Sequence, residues 1–254
     1  MNGDKAYLAL ISTQSPVLLG IYYENIIRDF NKRLDSCDAS YNASRLCGLD
    51  SKTNNLKEKR LFAWFKISGL VSDILPFIFG NILICNKASL HSMNSRFRDY
   101  DCRLWLSESM ICSNSKFYPI RDYASSNEII DSSALHDFYI SDIEGIIALL
   151  QSINSIGSIY YARGTGSLSA IKFTHIFLQT LIIARGIPLR ATNIFYFNTH
   201  DEIKAFGNQS FFYKDSQIRL GKSCNPKTNL TFPTVLHDLD FCEACEPLYV
   251  NDPL

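Results

Sequence analysis

Apolar residues fall along this chain in runs rather than in a clean alternation, and the runs predict helices through most of its first half. From residue 6 the chain reads as a strand or short helix up to a break at Pro16. Ile21, Ile26, Ile27, Phe30 and Leu34 then recur at roughly helical spacing, so a helix is expected over Val17–Leu34. Asp35 to Asn55 is rich in Ser, Asn and Asp and reads as a long loop. From Leu56 to Ile84 apolar residues crowd into a helical segment, a buried pair of helices broken near Pro76. Trp64, Phe65 and Phe77 fall at helical spacing within it. Ser89 to Ser126 is irregular and predicts short elements and loops.

The second half carries sharper punctuation. Ile140–Ile153 predicts a helix whose buried face is Ile143, Ile146, Ile147, Leu150 and Ile153, with Ser141 and Glu144 spaced as a capping box. Leu168–Ala184 is apolar on nearly every side, the mark of a central, buried helix. Gly186 stops it and Pro188 forbids its continuation. Ala191–Phe197 is a β-type run. Ile203–Phe206 and Phe211–Tyr213 flank Gly207-Asn208, the signal of a hairpin. Past Gly221 the chain is polar and is expected to wrap the surface.

Composition narrows the classes without choosing among them. With 254 residues, 46% of them hydrophobic, the chain can bury a sizeable core in one large domain or two small ones. We divide it into residues 1–130, mostly helical and of unassigned role, and residues 131–254. A formal net charge of zero gives no electrostatic reason to expect nucleic acid as a partner. The stretch M-N-G-D-K-A-Y-L-A-L-I lacks the basic start and clean apolar core of a secretory signal. Ile67–Ile84 contains Asp73, Pro76 and Asn81, and its uncharged run falls short of the roughly 20 residues that a membrane span needs. A cytoplasmic protein without a transmembrane segment is expected. Its eight cysteines then read as reduced thiols. Cys242 and Cys245 have metal-type spacing, with only Cys224 and His237 nearby in sequence to complete a site.

Candidate chemistry gathers between Gly157 and Asp215. Arg163-Gly164-Thr165-Gly166-Ser167 precedes the apolar helix and could cradle a phosphate, or simply give a flexible entry to that helix. Then come the helix, the phrase Arg185-Gly186-Ile187-Pro188-Leu189-Arg190, a strand, His200, a turn at Gly207 and Asp215. This order resembles the transglutaminase-like branch of the papain-type superfamily. In that family a Cys opens the central helix, a phrase like G-I-P-A-R closes it, and a His and an Asp follow. No Cys lies between Cys112 and Cys224, so the usual nucleophile is absent, and Glu202 replaces the aromatic expected two residues after the His.

The resemblance implies an α+β fold: a helical N-terminal part, then a papain/transglutaminase-like unit with a central helix packed on an antiparallel sheet. It also implies an amide-bond hydrolase or acyl transferase acting on a peptide or protein, with no cofactor. Ser169, or Ser167, would attack; His200 would act as base, and Asp215 would orient His200. The alternative is a catalytically inactive module of the same type that binds a protein or peptide partner.

Overall fold

The structure, a computed structural model, describes residues 5–24, 58–84, 87–106, 110–113, 116–119, 139–140, 143–214, 217–223 and 228–248. The expected loop over Asp35–Asn55, the capping residue Ser141, Asp215 and Cys224 all lie outside them.

No helical N-terminal part forms among the described residues. The chain opens instead with three antiparallel strands, β1 (Ala6–Ile11), β2 (Val17–Glu24) and β3 (Lys59–Ile67). They join β4 (Cys102–Leu106), β7 (Tyr139–Ile140), β8 (Ile156–Arg163) and β9 (Leu189–Asn193) in one mixed sheet, ordered β7-β4-β3-β2-β1-β8-β9. β1, β8 and β9 run parallel, while β1 to β4 and β7 alternate in direction. A central helix on an antiparallel sheet is therefore replaced by a mixed sheet with cover on both faces. This sheet takes strands from either side of residue 130.

The two-sided cover explains why β1 and β2 imitate helices in sequence. Ala6, Leu8 and Leu10 of β1 enter one core cluster, while Ala9 and Ile11 enter another on the opposite face. Val17, Leu19 and Ile21 divide from Leu18 and Tyr22 in the same way. When both faces are buried every position is apolar, and the period-two signature of a strand vanishes. Trp64, Phe65 and Lys66 likewise belong to a strand. Trp64 lies opposite Trp105 of β4, and the two indoles stack with centroids 3.9 Å apart.

The first face carries helices α1 (Val71–Leu83), α3 (Ile143–Gln151) and α4 (Leu168–Arg185); α2 (Lys87–Ser95) follows α1. α1 runs through Pro76 unbroken. The ring removes the amide that would bond Ser72, four residues earlier, and Ser72 is exposed, so water can serve its carbonyl. Asn81 of α1 is buried and fully used. Its Nδ2 donates to Phe77 O and Asn94 Oδ1, and its Oδ1 accepts from Asn94 Nδ2 and Gln151 Nε2, joining three helices.

The second face is covered by the 3-10 helix Ile194–Phe197, by β10 (Glu202–Lys204) and by the segment after residue 228. β10 pairs with β11 (Gln209–Lys214) and β11 with β12 (Gln217–Lys222), through the expected turn at Gly207. A two-stranded ladder, β5 (Met110–Ser113) with β6 (Lys116–Pro119), stands apart from both sheets. The last segment does more than wrap the surface. Phe232, Leu236 and Phe241 are buried in the second cluster, and β13 (Val235–Leu236) pairs with the start of β3.

Candidate functional site

β8, α4 and β9 form a crossover unit, two parallel neighbouring strands joined through a helix. The phrase R-G-I-P-L-R is the return half of that unit. Gly186 adopts a left-handed conformation (φ 64°, ψ 25°) and its amide donates to Ile182 O, which ends α4. Ile187 and Leu189 are then buried at the entry to β9. The phrase is thus a stop-and-turn that any helix returning to a parallel strand can use.

The outgoing half holds the serines. Gly166 sits so close to the turn between β1 and β2 that an added Cβ would lie 2.2 Å from Thr13 O. The Ser167 amide donates to Thr13 O at 2.8 Å, and Ser12 Oγ lies 2.9 Å from Thr174 Oγ1 of α4. The carboxyl ends of β1 and β8 are therefore laced together at the start of α4, which is where open α/β sheets tend to hold ligands. Thr13 Oγ1 and Thr165 Oγ1 are enclosed there with no hydrogen-bond partner among the described residues. The Ser167 amide is spent on Thr13 rather than left free for a phosphate.

Ser167 and Ser169 are brought together, with Oγ atoms 2.9 Å apart, and both are exposed at the helix start. His200 is also exposed. Its carbonyl accepts from Asn198 Nδ2 at 2.6 Å, and no described hydrogen bond joins its ring to either serine. The elements carrying them pack on opposite faces: Ala170 and Leu178 of α4 in the first cluster, Ile194 and Phe197 ahead of His200 in the second. Among the described hydrogen bonds, none joins either hydroxyl to a base that could activate it.

Among the described residues no group of three or more His, Cys, Asp or Glu side chains could hold a metal ion. His237 does not complete a site with Cys242 and Cys245. The Cys242 thiol reaches Ala191 O at 3.3 Å, and Arg163 Nη2 approaches its sulfur at 3.5 Å. The Cys245 thiol reaches Leu189 O at 3.6 Å, and burial pushes its pKa up to about 11. His175 has a buried Nδ1 with no hydrogen-bond partner among the described residues.

Two features escape the sequence reading. The first is a polar cluster under the second face. Lys59 Nζ is buried and donates to both carboxylate oxygens of Asp238 at 2.7 Å, and Tyr160 OH donates to Asp238 Oδ1. Lys59 also lies over the Tyr7 ring, while Tyr7 OH donates to Glu24. Burial works against the Asp238 charge, but the bonds from Lys59 and Tyr160 outweigh it and hold its pKa below the usual carboxylate value. Burial and the Asp238 bond raise the Tyr160 pKa. Nothing in sequence links partners that stand 179 positions apart.

The second feature is the outer face of α4. Ser169, Lys172, Ile176, Thr180 and Ile183 are exposed at three- and four-residue spacing, with Ile176 at 65% and Ile183 at 86% exposure. Leu168 at the head of α4 is 54% exposed, and Leu70, just before α1, is 68% exposed. α4 carries no acidic residue, and Lys172 and Arg185 are its exposed cations. The helix that looks wholly buried in sequence is the one that presents its apolar side outward. The signal was available: a crossover helix has one face on the sheet, so apolar residues all round leave some of them uncovered.

No family model, no curated protein and no solved structure matches this chain. No described helix is long and apolar enough to cross a membrane.

Proposed function

We propose that this chain is a non-catalytic binding module that engages another protein through the outer face of α4. The observation that carries the reading is the exposure of Ile176 and Ile183, two turns apart on a helix whose other faces are packed. Large aliphatic side chains in a charge-poor stripe are what the centre of a protein interface uses, with charge kept to its rim. Lys172 and Arg185 supply cations at that rim, so the complementary partner is apolar at its centre and acidic around it. The separation of the serines from His200 supports a binding role over an amide-bond hydrolase. A cytoplasmic setting fits the reading, since Cys242 and Cys245 are free thiols.

Photo-crosslinking tests it. A benzophenone side chain at Thr180 should give one discrete protein adduct in the cell, and the same group at exposed Glu243 should give none. Ile183→Glu should abolish the Thr180 adduct, and Lys172→Glu should weaken it. An adduct of twice the chain's mass would make the partner a second copy, and no adduct at Thr180 would sink the reading. In parallel, a fluorophosphonate probe should leave Ser167 and Ser169 unlabelled. Labelling that Ser169→Ala removes would restore the serine-hydrolase interpretation.

A further inference from the structure

The free edge of β9 is closed by the segment Phe241–Leu248. Ala191 N donates to Cys242 O at 2.8 Å and Cys242 N donates to Ala191 O at 2.9 Å, a single reciprocal pair. Both thiols of Cys242-Glu-Ala-Cys245 add to this seam, at Ala191 O and at Leu189 O. Those two carbonyls are two residues apart on a strand and so lie roughly 6.6 Å from each other. Each thiol thus bonds a different carbonyl of β9, one exposed at Cys242, which also reaches Ala244 O at 3.3 Å, and one buried at Cys245. Tyr161 OH donates to Cys245 O and holds the buried end.

We infer that Cys242 and Cys245 form a reversible thiol–disulfide pair whose oxidation lifts this segment from the edge of β9. A disulfide needs Cα atoms within about 7 Å, which for residues three apart means a tight turn over the two between them. Glu243 and Ala244 are exposed, so no packed side chain opposes that turn. Making it draws the two sulfurs off their separate carbonyls on β9 and removes the pairing at Ala191. The oxidant is a small disulfide such as oxidised glutathione. The Cys242 thiolate attacks it, forming a mixed disulfide and releasing one reduced glutathione. The Cys245 thiol, once uncovered, loses its proton and displaces the second glutathione from Cys242. Two electrons pass from the protein dithiol to the oxidant. Burial of Cys245, which also keeps it protonated, delays the second step until the segment opens. An uncovered β9 edge then presents unpaired backbone groups to any strand that meets it.

The test uses the full chain in a glutathione redox series, followed by alkylation and peptide mapping. A 242–245 peptide lighter by two hydrogens should accumulate under oxidising buffer and disappear on reduction. In the same samples the Ala191 amide should exchange about tenfold faster when oxidised, the loss of one hydrogen-bonded pair. Cys245→Ser should stop at a glutathione adduct on Cys242 with Ala191 still protected. Three results overturn the inference: no oxidation at this pair, a wild-type adduct on Cys242 that Cys245 never resolves, or a disulfide that leaves Ala191 exchange unchanged.

Discussion

The two faces of the main sheet are held by different physics. On the helical face, Leu8, Leu10, Leu19, Phe65, Phe77, Ile78, Leu149 and Leu178 form a continuous apolar core, with a polar hub at Asn81 and the Ser12–Thr174 hydroxyl pair at α4. On the other face aromatic rings dominate, with Tyr160, Tyr196, Phe197, Phe232 and Phe241 in edge contacts, and an ion pair lies among them. The helical face is built by segments that can each show amphipathic periodicity. The aromatic face is built by a late segment returning over strands formed much earlier. Burial by packing tolerates many residue choices, whereas the Lys59–Asp238 contact depends on two particular ones.

The largest break should come from the helical face. Phe77→Ala removes a fully buried ring stacked on Phe97 and should destabilise the fold by about 3–5 kcal/mol, measured by urea denaturation. Asp238→Ala strands a buried ammonium on the aromatic face. Because the Asp238 side chain is 46% exposed, water can reach part of the site, and the cost should be about 2 kcal/mol, below that of a fully enclosed pair.

That pair also has a signed pH dependence. The folded-state pKa of Asp238 is depressed, so its contribution is complete above the ordinary unfolded carboxylate value and is lost as pH falls through the folded one. Stability curves measured downward from neutral pH should therefore fall less steeply in Asp238→Asn than in the native chain. Asn81→Ala leaves Asn94 and Gln151 each without a partner and should cost about 1–3 kcal/mol. The smallest effect belongs to Ile183→Glu, within about 0.5 kcal/mol, because the side chain touches mostly water. A large loss there would mean that α4 is not exposed as described.

Legibility followed the same division. α4, its stop at Gly186 and the hairpin at Gly207 could be read locally, since each has its own periodicity or turn residue. β1, β2 and β3 could not, because strands buried on both faces lose their alternation and Ala6–Ile11 or Val17–Glu24 then resembles a helix segment. The serines, Gly186 and His200 do occur in the expected chain order. Order along the chain did not reveal that α4 and the 3-10 helix would take opposite sides of a sheet, because that depends on β1 pairing in parallel with β8. The Lys59–Asp238 pair was invisible for want of any local pattern.

The Trp64–Trp105 stack gives the molecule an optical use. The chain has two tryptophans, and both lie in this one cross-strand pair between β3 and β4. Intrinsic tryptophan fluorescence therefore reports a single seam of the sheet, far along the strand order from the β9 edge. Loosening at β9 would leave that emission unchanged, whereas global unfolding would separate the indoles and alter it, so one wavelength distinguishes a local event from the loss of the whole fold.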